Sequence, residues 1–195
     1  MCIRDSHFTG DSAFTLRGNV HNSDVAPIQA LLGYNYPITG NADFFVQAAG
    51  TFSEPHFEGQ LHLNNASAYG ETIRQFDSAY RLAQGEISFD NIHLFHDDSV
   101  VTGSAAYNPS SSVFRLDLVG NNFDLARVRQ IHLDRFPAEG RADFVVKASG
   151  TASAPSIDGT LHVHGLTLDH ELAGEVDLQA VTQGSDCLLY TSRCV

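Results

Sequence analysis

Apolar and polar residues alternate with a period of two along most of the chain, the spacing of a strand with one dry and one wet face. Ala42, Phe44, Val46 and Ala48 fall on one side, and Asp43, Phe45, Gln47 and Ala49 on the other. Phe57, Gly59, Leu61 and Leu63 likewise oppose His56, Glu58, Gln60, His62 and Asn64. Between these runs Gly50-Thr51-Phe52-Ser53-Glu54-Pro55 predicts a turn, because glycine reaches positive φ and proline fixes entry to the next strand. Further strands are expected over Ile73–Leu82, where Phe76, Tyr80 and Leu82 alternate, and over Glu86–Phe95. In the latter the apolar parity changes between Ile87 and Phe89 on one side and Ile92 and Leu94 on the other. One extra residue restores the facing, so a β-bulge is expected around Asp90-Asn91. Val100–Tyr107 and Val113–Val119 read as a hairpin across Asn108–Ser112.

The pattern occurs twice. Residues 37–63, PITGNADFFVQAAGTFSEPHFEGQLHL, align without a gap on residues 137–163, PAEGRADFVVKASGTASAPSIDGTLHV, with 14 of 27 positions identical. The second copy repeats the facing, with Ala142, Phe144, Val146 and Ala148 on one strand and Ile157, Gly159, Leu161 and Val163 on the next. A short helix is expected over Asn22–Gly33. Ser23 or Asp24 would cap it, Pro27 lies in the first turn, Gly33 ends it, and Val25, Ile28, Leu31 and Leu32 share one face. Asp124–Leu133 stands at the same offset and predicts a second helix. Residues 7–20, with Phe8, Phe14 and Leu16, then read as the end of a preceding unit. Residues 21–120 form a complete unit, and 121–186 a second one whose last strands, beyond about Leu178, are missing.

Strands of roughly eight to ten residues joined by short turns imply an antiparallel meander. Its apolar face can be covered by curling of the sheet or by a second sheet, and repetition favours curling, which gives stacked units one continuous interior. The expected fold is therefore mainly β: an elongated, curled antiparallel β-sheet, a repeating β-groove of taco-like section, with one short helix per unit. The candidate lining is Phe44, Val46, Phe57, Leu61, Leu63, Ile87, Phe89, Ile92, Leu94, Phe144, Val146, Ile157, Leu161 and Val163. Composition leaves open whether this stripe is ordinary core or a surface for acyl chains.

Composition narrows the alternatives. All three cysteines and the single methionine lie in residues 1–6 and 187–195, which resemble translated sequencing-adapter read-through and are set aside from the fold. The remainder is expected to be an internal piece of a longer protein, without disulfide or thiol chemistry. A net charge of −12, dispersed along the chain, excludes the clustered basic face that nucleic acid requires. No apolar run approaches the ~18 residues that span a bilayer.

Few residues suggest chemistry. His162-x-His164 places two imidazoles on one strand face, and His93-x-x-His96 is a second near pair. Catalytic zinc needs three convergent ligands, and no third stands at a motif spacing, so these histidines are expected as solvated strand residues with no metal. Asp97-Asp98 reads as a polar turn. No nucleophile elbow, phosphate-binding loop or H-E-x-x-H occurs, so neither an enzyme nor a cofactor is expected.

One resemblance covers nearly all of residues 7–186. The order P-x-x-G-x-A-x-F-x-V-x-A-x-G-T-x-x-x-P-x-x-x-G-x-L is carried by Gly40, Gly50, Thr51, Pro55, Gly59 and Leu61, and again by Gly140, Gly150, Thr151, Pro155, Gly159 and Leu161. With Gly85-Glu86-Ile87-Ser88-Phe89-Asp90-Asn91-Ile92 downstream, it resembles the repeat region of the TamB translocation and assembly module family, within the AsmA-like group. The resemblance implies a parent anchored in the inner membrane and reaching across the periplasm of a diderm bacterium. It implies a β-groove with an apolar interior, serving outer-membrane biogenesis by conducting phospholipid acyl chains or by assisting outer-membrane protein assembly. It also implies a BamA-like outer-membrane barrel as partner, through parts of the parent with no counterpart in this chain. An extracellular β-repeat, used as an adhesin or stalk, is the alternative.

Overall fold

In the computed structural model, which describes residues 11–31, 35–127, 137–183 and 186–194, the chain forms one antiparallel sheet of eleven strands. These are β1 (Ala13–Asp24), β2 (Ile38–Thr51), β3 (Pro55–Ala68), β4 (Glu71–Ala83), β5 (Glu86–His96) and β6 (Ser99–Asn108). They continue as β7 (Val113–Asp124), β8 (Ala138–Thr151), β9 (Ala154–Leu168), β10 (Glu171–Gln183) and β11 (Asp186–Cys194). Spatial order equals chain order, so the sheet is a meander that curls without closing and leaves β1 and β11 as edges. Helix α1 (Val25–Leu31) follows β1, and a 3₁₀ turn, Leu125–Arg127, follows β7.

The local chemistry explains these elements. In the β2–β3 turn, Thr51 Oγ1 accepts the Glu54 N–H at 3.1 Å and lies 3.0 Å from Ser53 Oγ, while Gly50 takes a φ of +117°. The second copy repeats the Thr151–Ser153 contact at 3.1 Å, with Gly150 at +109°. Asp24 caps α1 by accepting the Ala26 N–H at 3.0 Å. Leu32 and Gly33, like Phe8, lie outside the described residues. The expected second helix is corrected at its start: Asp124 accepts the Ala126 N–H at 3.2 Å in the same way, but the described residues after it, Leu125–Arg127, form a 3₁₀ turn, and the rest of that helix, residues 128–133, lies outside the described residues. Arg127 stands where the first copy has Pro27, and its guanidinium is drawn to Asp97 at 2.7 Å and Asp124 at 3.3 Å.

The strands run from 9 to 15 residues, longer than expected, because breaks in alternation that read as strand ends are bulges. The expected bulge in β5 is present, with the register shifting between Phe89 and Ile92 and Asn91 at a φ of +54°. Asn22 and Asn122 hold the same left-handed conformation at shifts in β1 and β7, positions 100 residues apart. In the second unit β10 runs on to Gln183, and β11, built largely from the cysteine-bearing tail, pairs with it from Glu175↔Cys194 to Gln183↔Asp186.

Residues directly opposite across a ladder point to the same face. One such row runs Ala42–Leu63–Phe76–Leu94–Val101–Gly120–Phe144–Leu161–Leu178, across nine strands. Ten spacings of about 4.8 Å make the whole sheet roughly 48 Å across. The chain exposes 13157 Å², against about 9,100 Å² for a compact protein of its 21.2 kDa, so much of the sheet has nothing packed on it.

Candidate functional site

All fourteen candidate lining residues stand on one face. Phe44 opposes Leu61, Ala42 opposes Leu63, and Ala48 opposes Phe57. Leu82 carries the face to Ile87, Tyr80 to Phe89 and Phe76 to Leu94. Ile92 continues it through Gly103 and Leu118 to Val146, and β8 and β9 close the set with Phe144 opposite Leu161 and Ala142 opposite Val163, Ile157 facing Ala148. The bulge at Asn91 keeps Ile92 and Leu94 on this face; without it both would turn to the wet side. Ile92 and Val163 are buried, and the other twelve are half-buried. No second sheet lies over them: every substantial contact among the described strands is between sequence neighbours.

One rim of this face is covered in the second unit. Leu125 of the 3₁₀ turn, 8% exposed, packs with Ala142 and Val163, and Phe123, Leu161, Leu166 and Val176 surround them. Elsewhere large side chains lean over strand glycines. The Tyr80 hydroxyl donates to the Phe45 carbonyl at 3.1 Å and would stand 2.9 Å from a Cβ at Gly59, and burial pushes its pKa up. The Phe144 ring covers Gly120 and tilts against Phe123 at 5.5 Å.

The opposite face is polar, though Phe45, Val119 and Val145 interrupt it. Asp117 pairs with Lys147 at 3.1 Å and Glu86 with Arg115 at 2.6 Å. The Asp97-Asp98 turn is polar as expected, with one addition. The Arg127 guanidinium donates to Asp97 and holds its carboxyl below the usual range.

On this wet face a cross-strand row Asp43–His62–Asp77 recurs as Asp143–His162–Asp177. In each copy the histidine Nδ1 contacts the aspartate of the following strand. In each the first aspartate accepts the N–H of the bulge asparagine, Asn22 at 2.8 Å or Asn122 at 2.7 Å. That backbone hydrogen bond lowers the Asp143 pKa, and the bond to Asp177 raises that of His162. These histidines are thus partnered and half-buried, more constrained than the solvated residues expected. His93 and His96 do not form a pair: three residues apart on a strand they face opposite sides, and His96 lies under Phe123, 3.9 Å from Glu71. His164, next to His162 on the same face, meets a residue that motif spacing did not supply, Glu175 of β10. Comparison of the two copies carried the signal, since Asn64 and Gln75 stand where the second copy has His164 and Glu175.

No described helix is long and apolar enough to cross a membrane. No protein-family model, no curated protein and no solved structure matches the chain.

Proposed function

We propose that this chain is a length of wall from an envelope-spanning β-groove protein, and that its apolar face conducts phospholipid acyl chains during outer-membrane biogenesis. The observation that carries the reading is an apolar face that runs across nine of the eleven strands with no second sheet packed over it among the described residues. An apolar surface of this size left open in water needs an occupant. Acyl chains suit it, since each methylene taken fully out of water contributes about 0.8 kcal/mol and demands no polar partner. The parent would lie in the periplasm of a diderm bacterium, anchored in the inner membrane, with a BamA-like barrel as partner. Assistance to outer-membrane protein assembly is the companion role, because an unfolded strand also presents alternating apolar side chains. A stalk or adhesin accounts less well for the open face, since it gains nothing from leaving one uncovered.

The test is a photo-crosslinking residue at Leu61 or Phe89 in the intact parent, with Gln60 on the wet face as control. Lipid adducts at the first two positions and none at Gln60 are expected. Exclusively protein-internal adducts at Leu61 and Phe89, in a parent that still functions, would refute the conduit.

A further inference from the structure

On the wet face of the second unit, three groups converge. His162 Nε2 lies 3.2 Å from His164 Nδ1 and 3.4 Å from Glu175 Oε2, and His164 Nδ1 lies 3.1 Å from Glu175 Oε2. We propose that these three atoms form a site for a divalent transition cation, of which zinc is the representative.

The triangle has the dimensions such a cation needs. Zinc bound at about 2.05 Å by nitrogen and oxygen sets tetrahedral ligands about 3.3 Å apart. A cation at that distance from all three atoms would sit roughly 0.8 Å out of their plane, close to the ~0.7 Å of a regular tetrahedron, with one position left open. Two imidazoles and one carboxylate are a donor set that favours borderline cations over calcium or magnesium.

The surrounding bonds aim these atoms inward. His162 Nδ1 is engaged by Asp177, and His164 Nε2 by Asp143 at 3.2 Å. A ring nitrogen that donates to a carboxylate leaves the lone pair on the other nitrogen, which is how metal-binding histidines are oriented. Glu175 is held likewise, its Oε1 accepting the Gly165 N–H at 3.2 Å while Oε2 faces the imidazoles. With those tautomers three acceptor atoms face one another, an arrangement that a cation relieves. The first copy serves as an internal contrast. It retains Asp43, His62 and Asp77, but has Asn64 and Gln75 at the other two positions. There Gln75 Nε2 donates to Asp77 at 2.6 Å, and among the described residues the metal-ligating groups cluster only in the second copy. The site does not depend on the conduit reading, and a bound cation would tie β9 to β10.

The experiment uses the whole chain with Cys2, Cys187 and Cys194 changed to serine, so that thiols contribute nothing. After chelator treatment, zinc is titrated by calorimetry near neutral pH, and cobalt(II) is followed by visible absorption. One equivalent of zinc is expected, with intense tetrahedral cobalt bands and zinc-induced ¹⁵N shifts at His162 and His164 but not His62. Copying the first unit, His164→Asn with Glu175→Gln, should weaken binding at least 100-fold, and Asp177→Asn about 10- to 100-fold. His62→Asn should leave it unchanged. If the double variant does not fold, the cobalt spectrum and histidine shifts of the parent chain decide. Absence of zinc uptake, uptake insensitive to His164→Asn and Glu175→Gln in folded protein, or histidines that take up protons but no metal would each overturn the proposal.

Discussion

Replacing Gly103 by alanine sets a methyl group 1.9 Å from the carbonyl oxygen of Asp117 on the neighbouring strand. Ordinary C–H···O contacts between strands are about 3.3–3.6 Å, so β6 and β7 would have to part by roughly 1.4 Å. Gly103 also has a φ of +146°, where an L-residue adds about 1–3 kcal/mol of strain. Overpacking typically costs a further ~1–3 kcal/mol, giving about 2–6 kcal/mol in all. Two other glycines separate the contributions. A Cβ at Gly59 would stand 1.8 Å from the Phe45 carbonyl oxygen without a positive φ, so only the steric cost of about 1–3 kcal/mol applies. A Cβ at Gly85 meets nothing within 4 Å, and its φ of +74° carries only the left-handed penalty of about 1–2 kcal/mol. Urea unfolding followed by circular dichroism should therefore rank Gly103→Ala as the most damaging. With slopes of about 1–3 kcal/mol/M, its midpoint should fall by on the order of 1 M or more. A Gly103→Ala midpoint equal to that of Gly85→Ala, at unchanged slope, would mean that the strands do not approach so closely and would refute the steric reasoning.

Tyr80→Phe removes the hydroxyl that reaches the Phe45 carbonyl, and should cost about 0.5–1.5 kcal/mol in the same unfolding assay. No loss would mean that water replaces the hydroxyl at no cost. The Asp97 carboxyl, depressed chiefly by the hydrogen bond from Arg127, should titrate in ¹³C NMR below ordinary aspartates and return to them in Arg127→Gln. A depressed pKa stabilises the fold above the unfolded-state value and ceases to as pH falls through the folded one. Any stability gap between the chain and Arg127→Gln should therefore close in acid, and a gap that widens there would contradict the assignment.

The strand faces were legible because the sheet has one dry side: Phe44, Leu61, Phe144 and Leu161 could be placed by parity alone. Even the bulge at Asn91 announced itself, since Phe89 and Ile92 could share a face only with an extra residue between them. Strand ends were less legible. The strands were expected to end at Val20 and Val119, yet the left-handed Asn22 and Asn122 let the ladder resume beyond them. The start of the second helix was less legible: Asp124 caps as Asp24 does, yet its first turn, Leu125–Arg127, is 3₁₀, with Arg127 paired to Asp97 of another hairpin. Glu175 was hidden for a related reason. It sits where the β9–β10 register shifts on both sides of Gly174, so alternation could not tell which face it takes or that it meets His164.

The row that leaves Ala42 arrives on β8 at Phe144, and not at Ala142, its counterpart in the second copy. Crossing six strands therefore advances the pairing by two residues. Two residues are about 6.6 Å of strand and six spacings about 29 Å, so like positions step along the wall at roughly 13° to the hydrogen-bond direction. A strand of 14 residues such as β2 accommodates only about seven such steps before a row runs off its end. In a wall of many such units no apolar row can run the full length. Any molecule that the proposed conduit carried would have to pass from row to row, as a bead moves down the thread of a shallow screw.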